Sequence, residues 1–83
     1  MTRAIIWTKT VCPYCVNAKN LLKMKGIEYE ERNIQEGSWT REQLLEAVPG
    51  ARTVPQVFID GKLIGTYEHL KKYFNDTEQK HIL

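Results

Sequence analysis

Residues 8–19 read TKTVCPYCVNAK and place two cysteines three positions apart around Pro13 and Tyr14. The apolar run directly before them, RAIIW at residues 3–7, is typical of a short buried strand. From Pro13 to about Lys25 the apolar residues Val16, Leu21, Leu22 and Met24 alternate with polar ones in the pattern of an amphipathic helix. A proline at the first helical position favours a helix start. We therefore predict a strand followed by a helix that carries the cysteine pair at its N-terminus.

The rest of the chain predicts one small α/β domain over residues 1–83. After a helix stop at Gly26, the pattern indicates a strand at 27–34 parallel to the first, a helix at 38–48 with Ser38 or Thr40 as its N-cap, a hairpin at 56–65 around Asp60-Gly61, a helix from Tyr67 to about Phe74 and a polar tail at 76–83. The predicted element order is β-α-β-α-β-β-α. No linker or internal repeat suggests a second domain.

Composition and charge exclude several functional classes. The 83 residues are 42% hydrophobic and 27% charged, which is ordinary for a globular domain. Basic and acidic residues are interspersed and the net charge is only +2, so we expect no nucleic-acid partner. No apolar stretch is long enough for a signal sequence or a membrane span, so we expect no membrane association and a cytoplasmic location. In a reducing cytoplasm a permanent structural disulfide is disfavoured.

The cysteine pair is best suited to redox chemistry. Residues three apart on a helix lie roughly 5–6 Å from each other, which matches the separation that a disulfide needs. Cys12 precedes the helix, where free amides and the helix dipole favour a thiolate, and such cysteines have pKa values of about 3.5 to 7.5. Cys12 is therefore the predicted nucleophile. Cys15, one turn inside the helix, is the predicted resolving thiol.

Two other interpretations of the pair are weaker. A zinc site needs two more ligands, and only His69 and His81 are available, neither at the spacing of a zinc knuckle. An inert buried pair is disfavoured because a helix terminus opened by proline is a poor place to bury two thiols. We predict no metal site.

Three motifs together resemble those of a known family. The CPYC motif follows the first strand, TVPQVFIDG comes some forty residues later, and a glycine-led turn precedes the last helix. In this order and spacing they resemble a dithiol glutaredoxin of the thioredoxin superfamily, over roughly residues 3–75. The resemblance implies a thioredoxin-like fold, in which a four-stranded mixed sheet of order 2-1-3-4 is flanked by three helices.

The resemblance also implies a substrate and a site. Cys12 would attack and become glutathionylated, and Cys15 would resolve the mixed disulfide. Val54, in a cis-proline loop, would pair with the cysteinyl part of glutathione in the manner of a β-strand. Arg41 or Arg52 could help to hold a carboxylate, although a solvated arginine is the more ordinary interpretation of each. The implied glutathione-binding residues are Lys9, Tyr14, Thr53, Val54, Pro55, Gly65, Thr66, Tyr67 and Glu68.

The segment IGTYEHL at residues 64–70 departs from the family pattern. Thr66 replaces a second glycine, and Glu68-His69 stands where an Asp is expected in one of the two places. Thr66 could cap the last helix, and Glu68 could replace the missing Asp as the partner of the glutamyl ammonium. We expect His69 to be an ordinary exposed helix residue.

The sequence thus predicts a glutathione-dependent thiol–disulfide oxidoreductase that reduces protein disulfides and protein–glutathione mixed disulfides. Glutathione would be a co-substrate, and no cofactor would be bound permanently. Disulfide-containing proteins would be the clients, with ribonucleotide reductase as one candidate, and the chain would act as a monomer. Three alternatives remain open: reduction by thioredoxin reductase, a dimer that binds a [2Fe–2S] cluster through Cys12 and two glutathiones, and a purely structural domain.

Overall fold

The computed structural model describes the backbone of residues 2–82 and the side chains of residues 2–75. It contains four strands: β1 (Arg3–Thr8), β2 (Glu28–Asn33), β3 (Gln56–Ile59) and β4 (Lys62–Gly65). They form one mixed sheet in the order β2-β1-β3-β4. Strand β1 is parallel to β2 and antiparallel to β3, and β3 is antiparallel to β4. The predicted strand order is confirmed.

Three helices flank the sheet: α1 (Pro13–Met24), α2 (Arg41–Ala47) and α3 (Tyr67–Ile82). Helix α1 connects the two parallel strands, which makes the predicted βαβ unit. In α2 the side chain of Thr40 accepts a hydrogen bond from the Gln43 amide, and the Gln43 side chain accepts one from the Thr40 amide. Thr40 rather than Ser38 is therefore the N-cap.

The β3–β4 hairpin turns at Asp60-Gly61, as predicted. Both residues have a positive φ, 51° at Asp60 and 81° at Gly61. This is the left-handed pair that a two-residue type I′ turn requires, and its twist matches that of the flanking strands. The Asp60 amide also donates to the carbonyl of Arg3 at 2.8 Å, which ties the hairpin to the start of β1.

Two apolar clusters cover the two faces of the sheet because side chains alternate along β1. One cluster lies against α1 and α3 and contains Ala4, Ile6, Ala18, Leu22, Val57, Ile59, Leu70 and Phe74. The other lies against α2 and contains Trp7, Leu44 and Val48, with Trp39 packed on it. Together they bury both faces of the sheet.

The apolar face of α1 differs from the expected one. The buried residues are Cys15, Ala18 and Leu22, whereas Val16 and Met24 are 51% and 80% exposed. Positions 15, 18 and 22 lie on one stripe of a helix with 3.6 residues per turn. Val16 and Met24 fall outside that stripe, so their apolar character does not place them in the core.

Helix α3 is longer than the pattern predicted. The prediction ended it at about Phe74 and assigned residues 76–83 to a polar tail, but the helical backbone continues to Ile82. No glycine or proline interrupts this stretch, and Glu78, Gln79 and Lys80 are good helix formers. The side chains of this segment, and Leu83 as a whole, lie outside the described residues.

Candidate functional site

The cysteine pair lies where β1 ends and α1 begins. Cys12 is the N-cap of α1, and a disulfide joins it to Cys15 over a Cα–Cα distance of 5.2 Å. The Cys15 amide donates to the Sγ atom of Cys12 at 3.1 Å. Cys12 is 6% exposed and Cys15 only 1%. The pair is therefore placed as predicted, with the less accessible sulfur inside the helix.

A groove of 460 Å³ opens beside Cys12, and three chain segments form its walls. One wall is the segment from Lys9 to Tyr14, which carries Cys12 and ends in the first turn of α1. The second is the segment Arg52–Pro55, in which the Val54–Pro55 bond is cis, as the resemblance implies. The third is Thr66–Glu68 at the start of α3. The groove joins segments that are far apart in the sequence.

On the second wall, Val54 contacts the sulfur of Cys12. Its carbonyl oxygen lies 3.7 Å from the Sγ atom of Cys12. Strand β3 begins only at Gln56, so the backbone of Val54 lies beyond the end of the ladder. The backbone of Val54 thus lies beside the sulfur without a partner in the sheet, and such a backbone can pair with an extended peptide.

The structure brings most of the predicted binding residues together. Gly65 is the exception: it is buried at the end of β4, and a Cβ built on it would lie 2.7 Å from the Nδ1 atom of His69. Gly65 directly precedes Thr66, the first residue of the third wall. The predicted binding residues that line the groove are Lys9, Tyr14, Thr53, Val54, Pro55, Thr66, Tyr67 and Glu68.

Of the two candidate arginines, Arg52 lines the groove and Arg41 does not. Arg41 instead lines a neighbouring hollow of 340 Å³, to which Lys9 and Arg52 also contribute. Lys9 and Arg52 therefore line both the groove and this hollow. Val11 and Pro13 also line the groove, although they were not predicted; they adjoin Cys12 in the sequence.

Cys15 does not line the groove. It faces a second hollow of 550 Å³ on the other side of the pair, which Lys19 and Glu31 also line. Cys12 lines both spaces. Of these two spaces, Cys12 therefore adjoins both, whereas Cys15 adjoins the second alone.

Glu31 in this second hollow was missed by the sequence analysis. Burial raises the pKa of its carboxyl, but hydrogen bonds from the Thr8 hydroxyl at 2.7 Å and the Lys19 ammonium at 3.1 Å lower it more. The net pKa lies below the ordinary value. The sequence signal was weak, because alternating acids in a strand indicate only an exposed face.

His69 has a more specific role than the expected one. It is exposed, but its Nδ1 atom accepts a hydrogen bond from the Thr66 amide at 3.1 Å and contacts the Thr66 hydroxyl at 2.9 Å. A side chain three residues after the N-cap that accepts a hydrogen bond from the N-cap amide makes one half of a capping box. In the sequence, the three-residue spacing between Thr66 and His69 was the only indication of this contact.

Two further findings concern the part of the chain that the structure describes. Within it, no three His, Cys, Asp or Glu side chains come together as they would around a metal ion. Its helices include none with the length and apolarity that crossing a membrane requires.

Comparison with known proteins decides the family. The glutaredoxin family model matches residues 4–64. Glutaredoxin 3 of Escherichia coli K12 is 41% identical over 70 residues, which cover 84% of this chain and 83% of that protein. The chain belongs to the glutaredoxin family. Its CPYC motif and paired cysteines make this glutaredoxin a dithiol thiol–disulfide oxidoreductase.

Other similar proteins differ in how much of their length this glutaredoxin covers. The buckwheat glutaredoxin, solved in complex with glutathione, superposes with a TM-score of 0.79 at 32% identity, over 92% of this chain and 71% of that one. The hybrid peroxiredoxin hyPrx5 of Haemophilus influenzae is 49% identical over 69 residues, which cover 83% of this chain but 28% of that protein. The shared fold is the thioredoxin-like fold of glutaredoxins.

Proposed function

We propose that this glutaredoxin uses glutathione to reduce protein–glutathione mixed disulfides and protein disulfides. The observation that carries the proposal is the asymmetry of the cysteine pair: Cys12 lines the groove and Cys15 does not. A tripeptide held in the groove would meet one sulfur only. The buckwheat relative binds glutathione, which supports the assignment of the ligand.

The walls of the groove match the chemical groups of glutathione. The backbone of Val54 offers a strand edge to the cysteinyl residue, next to the sulfur of Cys12. Lys9 and Arg52 supply positive charge for the glycine carboxylate. At the other end, the free amides of the first turn of α3 suit the glutamyl carboxylate. Tyr14 and Tyr67, with ring centroids 6.2 Å apart, flank the groove.

The reduction of a mixed disulfide needs only Cys12. Its thiolate attacks the glutathione sulfur, the Cys12–glutathione bond forms, and the client sulfur leaves as a thiolate that takes a proton from water. A second glutathione thiolate then attacks the bound glutathione sulfur. Oxidised glutathione leaves, and the electron pair of the broken bond returns to Cys12 as a thiolate.

The reduction of a protein disulfide needs both cysteines. Cys12 attacks one sulfur of the client and forms a mixed disulfide, and the second client sulfur leaves as a thiol. Cys15 then loses its proton and attacks Cys12, which releases the reduced client and forms the Cys12–Cys15 disulfide seen in the structure. Two glutathione molecules restore the dithiol and leave as oxidised glutathione.

The proposal extends to partners and assembly. Glutathione is a co-substrate rather than a resident group, and the groove is formed by one chain, so a monomer suffices. The clients are disulfide-containing proteins. Ribonucleotide reductase is a candidate client that a direct reduction assay would test.

Turnover of the mixed disulfide of glutathione and 2-mercaptoethanol tests the proposal. NADPH consumption is followed with glutathione and glutathione reductase, and in a parallel reaction with thioredoxin reductase alone. We expect turnover in the first reaction by the native chain and by Cys15→Ser, and none by Cys12→Ser. Turnover that occurs only with thioredoxin reductase, or that survives in Cys12→Ser, contradicts the proposal.

A further inference from the structure

Thr66 and His69 form a single unit at the α3 end of the groove. The Thr66 carbonyl accepts a hydrogen bond from the Leu70 amide at 2.9 Å, so Thr66 is the N-cap of α3 and His69 lies in its first turn. The Nδ1 atom of His69 is 3.1 Å from the Thr66 nitrogen and 2.9 Å from its Oγ1 atom. The imidazole also packs against Gly65, where a Cβ atom would lie 2.7 Å from Nδ1. Because residue 65 is a glycine, the imidazole can lie this close to the backbone and to Thr66.

This geometry fixes which atom donates in each contact. A backbone N–H can only donate, so Nδ1 must carry its lone pair and the proton of the neutral ring lies on Nε2. With Nδ1 as an acceptor, the Thr66 hydroxyl must be the donor in the 2.9 Å contact. Its proton is directed at His69, and the lone pairs of Oγ1 point elsewhere.

The N-cap of α2 shows the opposite arrangement. There the hydroxyl of Thr40 accepts a hydrogen bond from the Gln43 amide, so its oxygen is used within the helix. At α3 the hydroxyl is held as a donor to the side chain of His69. Because Thr66 lines the groove, its oxygen is an oriented acceptor available to a ligand there.

Glu68 is the other acceptor at this end of the groove, but it has a partner. Its carboxylate pairs with the ammonium of Lys71 at 3.3 Å, and its side chain is 71% exposed. A cationic ligand group would have to compete with Lys71 and with water for this carboxylate. The hydroxyl of Thr66, in contrast, is neutral and is already oriented by its contact with His69.

We propose that Thr66 Oγ1 recognises the α-ammonium group of the glutamyl residue of glutathione, and that His69 is the positioning residue that orients the Thr66 hydroxyl. The inference rests on the proposed function and deepens it, since it names the atoms that replace the missing Asp. The Tyr67 and Glu68 amides receive the adjacent α-carboxylate. His69 acts through Thr66 and does not touch the ligand.

Steady-state kinetics with two mixed disulfides test the inference. One is the disulfide of glutathione with 2-mercaptoethanol, and the other is the same disulfide made with N-acetylglutathione, which lacks the ammonium group. For the first substrate, Thr66→Val should raise KM roughly tenfold, the order expected for one lost hydrogen bond to a charged group, with kcat nearly unchanged. For the second substrate, native chain and variant should have equal KM values.

Conservative variants separate positioning from simple structural support. Thr66→Ser keeps the hydroxyl and should retain the native KM. His69→Asn keeps an acceptor at the δ position and should also retain the native KM. His69→Ala should raise KM for the mixed disulfide of glutathione but not for that of N-acetylglutathione. Circular dichroism and thermal unfolding establish that each variant is folded.

Three outcomes would overturn the inference. In the first, Thr66→Val leaves KM for the glutathione substrate unchanged. In the second, Thr66→Val raises KM by the same factor for both substrates, which would mean that Thr66 does not recognise the ammonium group. In the third, His69→Asn behaves like His69→Ala. If the native chain itself shows no glutathione-linked turnover, the proposed function fails, and the inference fails with it.

Discussion

At the scale of single residues, Cys12 and Cys15 have different environments although they share a disulfide. Cys12 lines the groove and accepts a hydrogen bond from the Cys15 amide, whereas Cys15 faces the second hollow. The hydrogen bond and the helix start both favour a negative charge on Cys12 over one on Cys15. The proposed division of roles thus agrees with the positions of the two cysteines at the start of one helix.

Glu31 gives a residue-scale prediction about pH and stability. Its pKa is lowered in the folded chain, so its ionised form stabilises the fold at pH values above the ordinary carboxyl pKa of about 4.3. That contribution is lost as the pH falls through the folded-state pKa. We expect Glu31→Gln to reduce the free energy of unfolding near neutral pH, and the difference from the native chain to shrink by about pH 3.

Urea unfolding at several pH values checks this expectation. Glu28→Gln is the matched control, because it changes an exposed carboxylate on the same strand. A difference between Glu31→Gln and the native chain that stays constant from neutral to acid pH, or that matches the control throughout, would contradict the role assigned to the Thr8 and Lys19 contacts.

The roles of residues within a sequence motif were predictable. The roles of residues that depend on side-chain contacts formed in the folded chain were not. The CPYC motif indicated Cys12 and Cys15, and the structure places them as expected. His69 was assigned no role, because its contact with Thr66 depends on the rotamer that Gly65 allows. Glu31 was missed because strand β2 reaches α1 only through the tertiary fold.

At the scale of elements, α1 combines core packing with the site. Leu22 is fully buried between α1 and the sheet, whereas Met24 on the same helix is 80% exposed. We expect Leu22→Ala to lower the free energy of unfolding by about 2–5 kcal/mol, the range for truncating a buried leucine. Met24→Ala should change it by less than about 0.5 kcal/mol.

Chemical denaturation of both variants, each in the oxidised state, distinguishes the two positions. Because both substitutions introduce alanine into the same helix, intrinsic helix propensity affects them similarly. Equal losses of stability would mean that the stripe Cys15, Ala18 and Leu22 is not the buried face of α1.

The N-cap of α2 yields a second element-scale prediction. Thr40 exchanges hydrogen bonds with Gln43, so Thr40→Ala should lower the free energy of unfolding by about 1 kcal/mol. Ser38→Ala is the matched control, since Ser38 was the alternative cap in the sequence and lies outside the helix. A larger loss for Ser38→Ala in urea unfolding would show that the helix begins earlier than in the structure.

Most elements were predictable because their signals are local. The apolar run of β1, the proline at the start of α1 and the Asp60-Gly61 turn each indicated the observed structure. The end of α3 could not be predicted, because residues 76–80 are polar and include no glycine or proline that would end a helix. The buried face of α1 was also misjudged, because apolar residues alone do not show which stripe faces the sheet.

At the scale of the whole molecule, the fold places the site at one edge of the sheet. Strand β1 ends there, α1 and α3 begin there, and the segment before β3 passes alongside. The site therefore gathers two helix N-termini and the backbone of Val54, which has no partner in the sheet, around Cys12. These features favour an anionic, extended ligand.

The strand order of the sheet was predictable from the sequence, but the separation of the groove from the second hollow was not. The βαβ unit and the hairpin followed from periodicity, and the family resemblance supplied the same order for the whole sheet. The separation between the groove and the second hollow depends on how the loop before α1 packs against Val54. That contact joins residues 42 positions apart, and no local pattern encodes it.

Intact mass after exposure to oxidised glutathione tests the central claim that glutathione is transferred to Cys12. The two single variants, Cys15→Ser and Cys12→Ser, are incubated side by side with oxidised glutathione and weighed without reduction. We expect Cys15→Ser to gain the mass of one glutathionyl group, and Cys12→Ser to gain none because Cys15 does not line the groove. An adduct on Cys12→Ser alone, or none on either variant, would contradict the account.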